Sequence, residues 1–297
     1  MRIIILFLTI SIINSQTEYP GLNIFFSSDC LSLGGAGYLN SSSISQKHNP
    51  ATFNNSRIFT SSIINYKNNV SCQSIGLSFP LKNGNVSSSL KNVSYGVFQS
   101  YDEKKNFIGT YQSSDNWFSL LYANRLKNSP IKFGVSYNYL YSSLGSFHIK
   151  KSFFSGGGQV SLKKIKTVFG FSIHHIGLNN NSYNKNLISP KLVFSILKIL
   201  EHLPLNIFVD LIFNSNNKND IEIFIGGKFN IVDNFKLNIG TSTRKFDQKV
   251  NNQIFNSVFG ASGIGLVYEN NQYLINVGSY MYGTGFLIHG VQLDLKF

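Results

Sequence analysis

From Leu287 to the last residue, apolar and polar positions alternate one by one. Leu287, His289, Val291, Leu293, Leu295 and Phe297 share one parity; Ile288, Gly290, Gln292, Asp294 and Lys296 share the other. A period of two over this length predicts a β-strand with one apolar and one polar side. The same alternation is plain at Ile131, Phe133, Val135, Tyr137, Tyr139 and Tyr141 against Lys132, Gly134, Ser136 and Asn138. It returns at 205–213, where Asp210 falls on the polar side, and at 221–230, where Glu222 and Lys228 do. A long apolar strand at a sheet edge invites aggregation, and closing the sheet into a barrel removes the edge.

Alternation assigns strands at 57–66, 70–79, 89–101, 115–125, 131–142, 153–163, 167–176, 189–200, 204–213, 220–230, 234–244, 257–268, 272–282 and 286–297. Each is near the ~9–11 residues that a tilted strand needs to cross a bilayer. The stretch 189–200 also reads as a helix with Pro190 in its first turn; the strand reading keeps the count even. Gaps after even-numbered strands are short, at 126–130, 164–166, 201–203, 231–233 and 269–271. Those after odd-numbered strands are mostly longer, at 102–114, 143–152, 177–188, 214–219 and 245–256, while 67–69, 80–88 and 283–285 break the rule. The pattern predicts an all-β fold, a transmembrane antiparallel barrel of about fourteen strands, with apolar sides toward lipid and polar sides toward the lumen.

The ends of the chain refine this picture. Met1 and Arg2 precede an apolar run at 3–13 and a small polar turn, which reads as a secretory signal peptide over residues 1–15. Residues 16–56 are rich in Ser, Asn and Gly without sustained alternation, and 57–297 form the barrel. Aromatic residues number 42 (26 Phe, 15 Tyr, one Trp) and charged residues are 13% of the chain. Soluble domains carry about 25% charge, and a lipid-facing wall accounts for the deficit. The formal charge of +13 comes from scattered lysines, with no dense basic stripe of the kind that binds nucleic acid. Lipopolysaccharide phosphates are the expected acidic partner of that charge.

Within 16–56, Leu33-Gly34-Gly35-Ala36-Gly37 is followed by Asn49-Pro50-Ala51. The glycine cluster lacks the Lys-Ser/Thr ending of a phosphate loop. Instead these residues resemble the N-terminal signature of the FadL-like outer-membrane proteins, nearest to the PorV/PorQ branch. The resemblance implies a plug, or hatch, folded inside a fourteen-stranded barrel of the bacterial outer membrane. It implies an accessory role in type IX protein secretion, as scaffold or shuttle, with periplasmic or surface secretion proteins as partners. The alternative is a FadL-like channel for small hydrophobic molecules. The short outer loops favour the secretion branch. The last strand resembles the C-terminal signal read by the barrel-assembly machinery, carried by Val291, Leu293, Leu295 and Phe297. Physically, a barrel of this size encloses more space than wall side chains fill, so a plug is reasonable.

Candidate chemistry is sparse. Cys72 has lumenal parity and Cys30 lies in the plug, so a disulfide could tie the two together in an oxidising compartment; two thiols are the alternative. Asp210, Glu222, Lys228, Lys236 and Arg244 fall on polar sides of successive strands and form a candidate lumenal charge cluster. The adjacent His174 and His175 are expected on opposite faces of a strand and so unable to share a metal. No metal site, cofactor motif or nucleophile elbow stands out, and no enzymatic activity is expected.

Overall fold

The computed structural model describes residue 21 and residues 24–44, 48–145, 147–177, 189–214, 221–247 and 258–297. The signal peptide expected at 1–15 lies outside these residues, as does most of the loops expected at 177–188, 214–219 and 245–256. Fourteen antiparallel strands form one closed ring. They are β1 (Ile58–Asn65), β2 (Ser71–Pro80), β3 (Gly84–Tyr101), β4 (Phe107–Arg125), β5 (Ile131–Leu144), β6 (Phe147–Leu162) and β7 (Thr167–Gly177). They continue as β8 (Lys191–Ile199), β9 (Leu205–Asn214), β10 (Ile221–Val232), β11 (Phe235–Ser242), β12 (Ser262–Glu269), β13 (Tyr273–Met281) and β14 (Leu287–Lys296). Each strand pairs with its neighbours in sequence, and β1 closes on β14 with Ile58 opposite Lys296 and Asn65 opposite His289.

Every expected strand is present, and 189–200 holds strand β8 rather than a helix. Val193 and Ser195 are buried while Phe194 and Ile196 are exposed, the alternation of a wall with two different sides. The largest departure is the β3–β4 hairpin, longer at both ends than its alternation suggests. Ser87-Ser88-Ser89 offers no apolar–polar contrast, yet these residues pair with Ser78, Leu77 and Gly76 of β2. The gap expected at 80–88 thus shrinks to 81–83, and the rule of short turns after even strands extends to β2. The gap expected at 143–152 shrinks to 145–146, against the rule of longer gaps after odd strands, because β5 and β6 keep pairing through Leu144 and Phe147.

Large apolar side chains such as Val135, Ile196, Ile225, Leu266 and Val291 are exposed on the outside, whereas Ser119, Asn138, Ser195, Asn238 and Asn276 are buried inside. That inversion of the soluble pattern suits a wall facing lipid. No helix among the described residues is long and apolar enough to cross a membrane; the strands are the elements of crossing length. Phe297 stays on the exterior, its ring 6.4 Å from that of Phe79 of β2, on the far side of β1. Its backbone N–H donates to the Arg57 carbonyl at 3.3 Å.

Candidate functional site in the barrel lumen

Residues 24–44 and 48–53 lie within the ring and reach from one end to the other. Phe25 meets Tyr66 and Tyr280 at the end that bears the 66–70 and 282–286 turns. Phe53 packs with Leu121 and Ala123, near the opposite 126–130 turn. The segment begins with a short helix, α1 (Ser28–Ser32), capped by the Ser27 hydroxyl, which accepts from Cys30 N at 3.1 Å. One turn of helix is too short to persist alone. The wall holds it: Ser28 Oγ donates to Gly290 O at 3.0 Å, and Gln292 Oε1 accepts from Asp29 N at 3.3 Å.

The strongest tie is the Asp29 carboxylate. It receives Lys228 Nζ at 2.9 and 3.1 Å, Asn238 Nδ2 at 3.1 Å and Asn276 Nδ2 at 3.2 Å, and the Asn40 amide also donates to it. Charge-assisted bonds of this type are the strong ones. Three wall strands, β10, β11 and β13, therefore converge on one residue of the segment. Sequence reasoning missed Asp29; the signal available was Lys228, a cation of lumenal parity that needed a partner.

The glycine motif is explained by how closely it meets the wall. Gly34 has φ of 65°, and a Cβ there would stand 2.5 Å from the Gly240 carbonyl carbon. Gly35 has φ of 93°, and a Cβ would stand 2.8 Å from the Phe224 ring. A side chain is thus excluded both by backbone sign and by space. Leu33 and Ala36 fill a cluster with Val193, Phe208, Ile212 and Phe224. Gly37 N and Tyr38 N donate to Asp210 Oδ2 at 2.7 and 3.4 Å. Farther along, Asn49 Nδ2 donates to the carbonyls of Gly158 at 3.0 Å and Phe171 at 3.2 Å, while its Oδ1 accepts from Ala51 N at 2.9 Å. The Pro50 carbonyl lies directly over Gly134, so that wall position also leaves no room for a Cβ.

Of the five charged residues expected to cluster, Glu222 and Arg244 meet each other, and the other three go to separate partners. Lys228 goes to Asp29, and Asp210 to the backbone of Gly37 and Tyr38. Glu222 pairs with Arg244, from α2 (Arg244–Asp247), at 2.9 Å. Lys236 pairs with Glu269 at 2.5 Å. Shared parity brings residues to one face but not to one place: Glu222 and Lys228 are six residues apart, roughly 20 Å along a strand.

No disulfide joins Cys30 and Cys72; both are buried thiols. They pack as small apolar fillers with Phe25, Leu31 and Ile64, and the Cys72 sulfur lies 3.9 Å from Ser74 Oγ. Denatured, unreduced protein is expected to take up two alkylating groups in a mass spectrum; a mass with neither would show a bond. The histidine pair also differs from expectation. Both His174 and His175 are buried, because His175 adopts φ of 63° beside a register shift between β6 and β7. This bulge turns two consecutive side chains inward. No group of three or more metal-binding side chains occurs among the described residues.

At the Phe25 end the lumen becomes an aromatic chamber. Phe26 meets Trp117 edge-on at 6.2 Å and lies 5.0 Å from Lys91 Nζ, while Phe25 lies 4.7 Å from the Tyr280 ring. Trp117, Phe153, Leu140, Val93, Ile64 and Ile288 complete the buried lining. The segment's own two phenylalanines are what this lining grips.

The arrangement defines a class: a closed fourteen-stranded barrel with an apolar exterior and its own N-terminal segment bound inside. The toluene transporter TodX of Pseudomonas putida has a similar structure, at TM-score 0.57 and 10% identity, over 95% of this chain and 97% of that one. A FadL homologue of Pseudomonas aeruginosa is similar at TM-score 0.53 and 9% identity, over 92% and 98%. At such low identity the shared feature is the fold. No protein-family profile and no curated protein matches the sequence.

Proposed function

We propose that the chain is an outer-membrane channel for small apolar molecules, closed by its N-terminal segment. The aromatic chamber carries this reading. A buried lining of Trp117, Phe153 and aliphatic side chains around the Phe25 and Phe26 rings is a surface that an apolar ring desolvates onto favourably. The ties made by carboxylate and carboxamide side chains, at Asp29, Asp210 and Asn49, lie outside this lining, where the segment is tied by the Phe25 backbone to the Tyr66 hydroxyl. The fold shared with a toluene transporter favours the channel over the type IX accessory role implied by the N-terminal motif. The apolar belt supports placement in a bilayer, and the outer membrane is where barrels of this fold reside.

Trp117 is the single tryptophan of the chain, so its fluorescence reports on the chamber alone. Titrating the refolded barrel with toluene is expected to change Trp117 emission saturably. Phe26→Ala should tighten that binding by about tenfold, because the competing ring is gone. Absence of a saturable response in both proteins refutes the proposal.

A further inference from the structure

The end of the barrel that carries the start of β1 and the end of β14 is unevenly charged. On the arc made by the 126–130, 163–166 and 200–204 turns stand Arg125, Lys127, Lys163, Lys164, Lys166 and Lys198. The sequence there supplies one carboxylate, Glu201, whose Oε1 is 3.8 Å from Lys166 Nζ. Across the ring the balance is different, since Lys236 and Lys296 both bind Glu269, at 2.5 and 2.9 Å. There two lysines share one carboxylate, whereas the open arc sets six cations against one.

The cations of the open arc are interleaved with exposed apolar side chains, Leu126 at 46%, Ile165 at 48% and Leu203 at 55% exposure. The central turn is held in place. Lys166 takes a left-handed backbone with φ of 48°, its carbonyl accepts from Ile199 N at 3.0 Å, and Lys198 Nζ donates to Ile165 O at 2.5 Å. Just up the wall, Tyr122, Phe133 and Phe169 are exposed on the outer surface, as in the aromatic girdle of a barrel at its membrane interface. Lys166 precedes Phe169 by three residues, about 10 Å along the strand. With the rings at the acyl boundary, the ammonium groups reach the headgroup layer and the apolar neighbours dip below it.

We infer that this arc binds the phosphate-bearing headgroups of an anionic phospholipid leaflet. The inference rests on the membrane placement proposed above. Alternation of apolar and cationic residues beside the girdle fits a lipid surface better than an acidic soluble protein, which would need no apolar partner at that depth. The short turns of such barrels face the periplasm, so this part of the chain's positive charge would meet the periplasmic leaflet rather than lipopolysaccharide.

The test uses the full chain refolded into vesicles of phosphatidylcholine, or of phosphatidylcholine mixed with phosphatidylglycerol. Lipids retained after extraction are counted by native mass spectrometry. The wild type should retain phosphatidylglycerol over phosphatidylcholine by ~10-fold at low salt, less as salt rises. The variant Lys163→Gln/Lys164→Gln/Lys166→Gln should lose most of that preference, and Lys104→Gln/Lys105→Gln at the opposite end should keep it. Equal retention of the two lipids by the wild type, or an undiminished preference in the triple variant, overturns the inference. Heat-modifiable gel migration is read in parallel. A barrel that folds in both vesicles without a preference removes the headgroup assignment alone, whereas failure to fold in either removes the membrane placement and this inference with it.

Discussion

Asp29→Ala is expected to release the N-terminal segment while leaving the ring closed. It strands Lys228 in a site where the two side chains are only 16% and 12% exposed, and it takes an acceptor from Asn238 and Asn276. Removing one partner of a largely buried pair costs about 3 kcal/mol, because the remaining charge is left uncompensated. The strand ladders do not pass through Asp29, so the loss falls on docking of the segment. Protease cleavage within 24–44 should rise by roughly a hundredfold if opening is fast relative to cutting, while the trimmed barrel still migrates as a folded species. Asp29→Leu combined with Lys228→Met should recover much of the protection, since no charge is then stranded. Cleavage of Asp29→Ala at the wild-type rate would show that the segment is held by other contacts.

Gly240→Val is expected to open the lumen. A Cβ at this position falls on the Leu33 carbonyl, and backbone meets backbone there, so no rotamer change relieves the overlap. Overpacking of this sort costs about 1–3 kcal/mol, and the segment is the part free to move. Valine is otherwise well suited to the interior of β11, which leaves the ring intact. In planar bilayers the variant should show a clearly larger single-channel conductance than the wild type. Gly177→Val, placed where nothing lies within 4 Å, is the control and should conduct like the wild type. A folded Gly240→Val protein with unchanged conductance would count against closure by this segment.

Both outcomes depend on contacts that local pattern does not reveal. Fourteen strands could be read from alternation, since a lipid-facing wall writes its two environments into successive residues. The reading weakened where the contrast vanished, as at Ser87-Ser88-Ser89, and failed for the histidine pair, where a bulge at His175 broke the parity that set it opposite His174. The glycine motif was legible as unusual, but its reason was not: Gly34 is small because Gly240 of β11 presses on it. The charged residues of lumenal parity were likewise legible one at a time, while their partners, Asp29 for Lys228 and Glu269 for Lys236, were not.

By itself the sequence determined the strand count, the in-or-out parity of most wall residues and the seam between β1 and β14. Each of these follows from a period of two and from the need to leave no open edge. Only the tertiary structure decided what the lumen holds and where it is gripped. Asp29 and Lys228 meet across 199 residues of sequence, and Ser28 reaches Gly290 across 262. Such meetings depend on how register and stagger close the ring, a property of all the strands together that no single stretch encodes.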